Sequence, residues 1–263
     1  PLSNVIVNVS TDDSSESAVD VASLTFTPTN WNSPQTVTVT GQNDSAVDGD
    51  VAHQVTVSVD WSSESAFTSL VDQTVAVTTQ DNDTAGFTVT GGPLTVDESG
   101  MTTQSFTVVL DAAPENTVMF DVSTNDSTES MPDYTTLTFS SSDWNMSQTV
   151  TVTGQDDSID DGDIAHLVTV SVNDVSSDDP FDSLADQTVA VTTTDDDTAG
   201  FTVSGGPLTV DEWRSTQSFD VVLDAAALTN VVFDVSTDDS SESSVAHLRQ
   251  FDSGSVGAAG SYV

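Results

Sequence analysis

Residues 24–59 read LTFTPTNWNSPQTVTVTGQNDSAVDGDVAHQVTVSV, and residues 137–172 read LTFSSSDWNMSQTVTVTGQDDSIDDGDIAHLVTVSV. The second stretch follows the first by 113 residues, and agreement over so long a run marks a repeat architecture. DNDTAGFTVTGGPLTVDES at 81–99 returns as DDDTAGFTVSGGPLTVDEW at 195–213, shifted by 114, so one residue is inserted between the two pairs. A third copy opens at Ala199 and continues through VVFDVSTDDSSESS at 231–244. The pattern is then lost in AHLRQFDSGSVGAAGSYV at 246–263, where another strand is due.

Inside one copy the apolar residues alternate, as in Phe106/Val108/Leu110, Val118/Phe120/Val122 and Val168/Val170/Val172. A period of two is the signature of half-buried strands. The intervening positions are mostly Thr and Ser, which suit a solvated pleated face, and Gly, Pro, Asn and Asp separate the runs. About seven short strands in about 110 residues predict an all-β chain of tandem immunoglobulin-like antiparallel β-sandwiches. The expected division is 1–83 as a sandwich without its first strands, 84–198 as a complete one, 199–245 as the start of a third, and 246–263 as an irregular tail.

The chain has 43 acidic residues, two arginines (Arg214 and Arg249) and no lysine, for a formal net charge of −41. Such a charge excludes nucleic acid as a partner. It also opposes compaction and calls for bound divalent cations or high salt. No cysteine is present to staple the fold, and no apolar run is long enough to span a bilayer. The chain opens in mid-pattern at Pro1 without a Met or a signal peptide, and reads as a fragment of a longer protein.

The carboxylates concentrate in loops: Glu98 beside the first strand of the complete copy, Asp133 before LTF, Asp156, Asp157, Asp161 and Asp163 between strands, and Asp195, Asp196 and Asp197 at its end. Ca²⁺ takes six to eight oxygens in irregular geometry, so short Asp-rich loops converging at one pole can share ions. The competing reading makes these residues solvated turn formers in a salt-adapted protein. Their restriction to strand ends in both copies favours the metal, because halophilic acidity would decorate strand faces as well.

ValAspGlu near the start, ProAspTyr before LeuThrPhe, AspAspSerIleAspAspGlyAsp and a closing AspAspAsp together resemble the Calx-beta domain of sodium-calcium exchangers, integrin β4 and many bacterial surface proteins. The resemblance covers nearly all of the chain and implies Ca²⁺ ligands at Glu98, Asp133, Asp156, Asp157, Asp161, Asp195, Asp196 and Asp197. In the first copy the matching positions are Asp20, Asn43, Asp44, Asp48, Asp81, Asn82 and Asp83, with the initial Glu falling upstream of Pro1. The third copy keeps Glu212 but has Ala246 where Asp133 stood, and Ile164 replaces a Glu frequent in the family's acidic loop. The AsnTrpAsn and GlnThrValThrValThrGly variant is similar to repeats of large bacterial adhesins and exoproteins, which implies secretion or a cell-surface location.

His53 and His166 share one repeat position and are expected to pack in a strand. Trp31 and Trp144 share another and are expected at the rim of the core, while the unpaired Trp61 and Trp213 are candidate exposed contacts. Candidate catalytic residues occur in duplicate and no nucleophile elbow is present, so the chain is not expected to be an enzyme. The leading expectation is a Ca²⁺-binding structural or adhesive repeat. The alternatives are a polysaccharide- or surface-binding accessory module of a secreted enzyme and, last, a metal-assisted hydrolase. Because Pro1 matches Pro114, residues 199–226 hold the strands that the first copy lacks, and head-to-tail self-association is a further expectation.

Overall fold

A computed structural model describes residues 1–213 and 215–245. Both arginines, Ala246 and the tail 246–263 lie outside the described residues.

The first copy forms β1 (Val5–Thr11), β2 (Ser17–Val19), β3 (Ser23–Phe26), β4 (Val39–Gly41), β5 (Val51–Val59) and β6 (Gln73–Thr79). The second forms β7 (Phe87–Thr90), β8 (Leu94–Asp97), β9 (Thr103–Leu110), β10 (Val118–Thr124), β11 (Ser130–Pro132), β12 (Thr136–Phe139), β13 (Gln148–Gly154), β14 (Ile164–Val172) and β15 (Gln187–Thr194). The third contributes the hairpin β16 (Phe201–Ser204) and β17 (Asp220–Leu223). The fold class is the one read from the alternation: antiparallel β-sandwiches of immunoglobulin type, in tandem.

In the second copy the sheet β12-β10-β14-β15-β8 faces the sheet β11-β13-β9-β7. Alternate residues of both sheets point inward, and Phe106, Phe120, Phe139, Val150, Val152, Val168 and Val170 are fully buried. Phe120 sits centrally, 4.6 Å from the Phe87 ring and 5.9 Å edge-on to Phe139, in the tilted and T-shaped arrangements that aromatic quadrupoles favour. One pairing breaks the antiparallel rule: β8 runs parallel to β15, placing Asp97 beside Thr194 and bringing Glu98 next to the closing Asp run.

The first copy repeats the registers of the second. Val5 pairs Phe26 as Val118 pairs Phe139, and Val55 pairs Val75 as Val168 pairs Val189. Its sheets are β3-β1-β5-β6 and β2-β4. His53 and His166 are buried as expected, each ring Nε2 hydrogen-bonded to a buried serine, Ser17 at 2.7 Å and Ser130 at 2.6 Å. Trp144 packs half-buried against the core. Trp31 instead stands 60% exposed, because the first copy has no counterpart of β9 over it among the described residues.

Candidate metal centre

Gly162, at φ 80°, turns the acidic loop so that its N–H donates to Asp195 Oδ2 at 2.7 Å, and Asp197 N–H donates to Asp195 Oδ1 at 2.8 Å. These donors fix Asp195 between the 155–163 loop and the strand end, and they hold its carboxyl below the usual carboxylate range. Across from it, Asp157 N–H donates to Glu98 Oε1 at 3.0 Å. Gly154 makes the approach feasible: a Cβ there would lie 2.1 Å from the Asp97 carbonyl oxygen and 3.1 Å from the Glu98 Cα.

The result is a pole where Glu98, Asp157 and Asp197 each offer a carboxylate oxygen within 4.8 Å of the others. Glu98 is buried, at 5% exposure. Desolvation, reinforced by Asp157, Asp195 and Asp161, pushes its pKa up to about 7. Asp161, Asp197 and Glu129 are raised as well, each by desolvation first and by neighbouring carboxylates second. The donors are all carboxylate oxygens, with neither His nor Cys in the group, which fits a hard cation such as Ca²⁺ and not a soft one.

The first copy brings together Glu16, Asp44 and Asp48 within the same 4.8 Å. Asp81 accepts the N–H of Gly49 at 2.9 Å and that of Asp83 at 2.7 Å, repeating the Asp195 arrangement. Desolvation, then Asp44 and Asp81, raises Asp48; desolvation, then Asp48, Asp13 and Asp44, raises Glu16.

Of the residues expected as ligands, the structure therefore groups Glu98, Asp157 and Asp197 in one copy and Asp44 and Asp48 in the other, with Asp161, Asp195, Asp81 and Asp83 alongside. Asp156 and Asp196 are exposed and outside the group. Asp133 and Asp20 lie outside the group, and each accepts a backbone N–H, from Thr151 at 2.7 Å and from Thr38 at 2.8 Å. Glu16 and its repeat counterpart Glu129 were missed. Their signal was available, since both precede a Ser at the same repeat position in loops otherwise made of Ser, Thr, Asn and Asp.

The acidic loop also touches the next copy. Ala46 bridges Ala113 in parallel, with Ala113 N–H donating to the Ser45 carbonyl at 2.7 Å and Val47 N–H to the Ala113 carbonyl at 2.9 Å. Val47 packs against the second core. The junction recurs where Ile159 bridges Ala226, with Ala226 N–H donating to the Ser158 carbonyl at 2.5 Å.

No family model and no curated protein matches the sequence. Among solved structures, the chain is similar to domains 4 and 5 of the S-layer protein SbsC at 15% identity and TM-score 0.32, covering 54% of this chain and 65% of that one. It is similar to CBD12 from CALX1.2 at 13% identity and TM-score 0.29, covering 65% and 68%. Domains 4–9 of SbsC match at 13% identity and TM-score 0.32, covering 82% of this chain and 36% of that one. The chain thus spans less than two thirds of either S-layer structure.

Proposed function

We propose that the chain is a Ca²⁺-binding structural or adhesive repeat of an extracellular or cell-surface protein, divided at about residues 84 and 199, in which cations at the sandwich poles set the orientation of successive copies. The observation that carries this reading is the double use of one loop. Residues 44–48 hold Asp44 and Asp48 and also bracket Ala113 of the next copy; residues 157–161 hold Asp157 and Asp161 and also bridge Ala226. A cation bound by Glu16, Asp44 and Asp48, or by Glu98, Asp157 and Asp197, would neutralise carboxylates that otherwise push these loops apart, and the loops carry the junction hydrogen bonds. A bound ion would supply charge neutralisation, and these carboxylate oxygens would supply its ligands.

Small-angle X-ray scattering of the full chain tests this. Ca²⁺ is expected to give a longer, narrower distance distribution than EDTA, and identical profiles in the two would contradict a junction role. The polysaccharide-binding alternative has its support in Trp61 and Trp213, 87% and 92% exposed. Glycan binding abolished by Trp61→Ala or Trp213→Ala would favour it.

A further inference from the structure

Residues 173–186 link β14 to β15, residues 60–72 link β5 to β6, and the two links share a frame. In the second copy the Asp178 carboxylate accepts the N–H groups of Glu115 and Asn116 at 2.8 and 3.3 Å, Ser177 Oγ accepts the Met119 N–H at 2.9 Å, and Phe181 N–H donates to the Asp178 carbonyl at 2.9 Å. In the first copy the Glu64 carboxylate accepts the N–H groups of Leu2 and Ser3 at 2.6 and 3.1 Å, Ser63 Oγ accepts the Ile6 N–H at 2.9 Å, and Phe67 N–H donates to the Glu64 carbonyl at 2.9 Å. The frame aligns Asp178 with Glu64 and Phe181 with Phe67. Within it Asp179, Pro180 and Asp182 stand where the first copy has Ser65, Ala66 and Thr68. The second copy thereby gains an Asp–Pro bond, a dipeptide that occurs nowhere else in the chain.

Asp179, Pro180 and Phe181 form a one-turn 3₁₀ helix that ends at Asp182. Side chains three residues apart eclipse in such a turn, so Asp179 and Asp182 stand on one side of it, with the Asp179–Pro180 bond between them in sequence. The Asp182 N–H donates to the Asp179 carbonyl, the carbonyl of that bond, at 3.3 Å. Asp179 and Pro180 are exposed to water. Asp182 Oδ1 is buried and has no hydrogen-bond partner among the described residues. Desolvation first, then Asp179, Asp174 and Asp178, raises the Asp182 carboxyl above its ordinary range. Glu115, on the turn held by Asp178, is the facing carboxylate from the neighbouring element.

We propose that the Asp179–Pro180 bond is a self-cleavage site, at which the chain cuts itself in mildly acidic solution. An ionised Asp179 Oδ attacks the main-chain carbonyl carbon of its own residue and closes a five-membered cyclic anhydride. The C–N bond to Pro180 breaks, its electron pair goes to nitrogen, and that nitrogen takes the proton of the Asp182 carboxyl. Water then adds to the anhydride, leaving Asp179 with side-chain and terminal carboxyl groups and Pro180 as a new N-terminus, and Asp182 regains a proton from solvent. The attack is intramolecular, so no encounter entropy opposes it. Proline supplies a tertiary amide, whose nitrogen leaves as a secondary amine once protonated. Asp182 serves as the general acid, and its N–H steadies the charge that develops on the carbonyl oxygen. The cut falls in the link between β14 and β15, so the ladder from Ile164–Thr193 to Val170–Gln187 still joins the two fragments.

Incubation of the full chain between about pH 4 and about pH 7, read by intact mass and N-terminal sequencing after denaturation, tests this. The expected products are residues 1–179 and 180–263, formed faster as pH falls through the range in which Asp182 gains its proton. Cleavage of the folded chain is expected to be at least about tenfold faster than that of the same chain unfolded in urea at the same pH. Asp182→Asn, which keeps the shape but has no acidic proton, is expected to lose that advantage. Asp179→Ser and Pro180→Ala, which install the first copy's residues, are expected to stay intact, with melting curves like the parent's. No fragment beginning at Pro180, equal rates in the folded and unfolded chains, or Asp182→Asn cutting as fast as the parent overturns the proposal. So does an equal yield of a fragment beginning at Ala66, which would mark general acid hydrolysis of both links.

Discussion

Glu98→Gln is the sharpest perturbation of the candidate metal centre, because the amide oxygen preserves the hydrogen bond from Asp157 N–H while the ionisable proton is removed. A carboxyl with a pKa of about 7 is about half protonated at pH 7, about nine-tenths at pH 6 and about one-tenth at pH 8. A cation binds the deprotonated form, so binding must expel that proton. Isothermal titration of Ca²⁺ in buffers of different ionisation enthalpy counts the protons released. Relative to the parent, Glu98→Gln is expected to release about half a proton fewer at pH 7 and about 0.9 fewer at pH 6. Its Ca²⁺ affinity should also fall, since one anionic oxygen is lost. Equal proton release by parent and variant at pH 6, with Ca²⁺ bound by both, would refute the placement of Glu98 at the cation.

The same group sets a pH trend in the metal-free protein. The folded pKa of Glu98 lies above its ordinary 4.5, so its contribution to stability is fully present below about pH 4.5 and lost as pH rises through about 7; urea midpoints of the parent minus those of Glu98→Gln in EDTA should fall across that window. Gly154→Ala forces a methyl into the Asp97–Glu98 backbone and should cost on the order of 1–3 kcal/mol in denaturant unfolding, with weakened Ca²⁺ binding, whereas Gly41→Ala should stay within about 0.5 kcal/mol. Ser130→Ala leaves buried His166 Nε2 without its partner and should lower unfolding free energy by about 1–3 kcal/mol by the same measurement.

The sandwich was legible because its core obeys a period of two that solvent and burial impose on each strand separately. Phe106/Val108/Leu110 and Val168/Val170/Val172 are buried as the alternation demands. The parallel β8–β15 pairing was not legible, since it joins residues about a hundred positions apart and no local pattern encodes it. Yet that pairing is what carries Glu98 to the closing Asp run. The candidate site was read in part for the same reason. Loop carboxylates are visible as composition, but whether each faces the pole or a neighbouring strand depends on turn geometry. Asp133 and Asp20 accept the backbone N–H groups of Thr151 and Thr38, while Glu129 and Glu16, which stand in short Ser-containing turns, face the acidic loop. The openness of Val39, Val75 and Trp31 follows from which strands are present to cover them, a property of the assembled sheets and not of those residues.

The central claim, that these poles hold a structural divalent cation, is tested most directly by differential scanning calorimetry of the full chain in EDTA, Ca²⁺, matched Mg²⁺ and matched NaCl. A cation bound to the native state at a hundred times its dissociation constant adds about 2.7 kcal/mol per site. The account predicts a Ca²⁺-selective rise in melting temperature that is reduced in Asp157→Asn and in Asp44→Asn. Equal stabilisation by NaCl or Mg²⁺, undiminished in both variants, would contradict it.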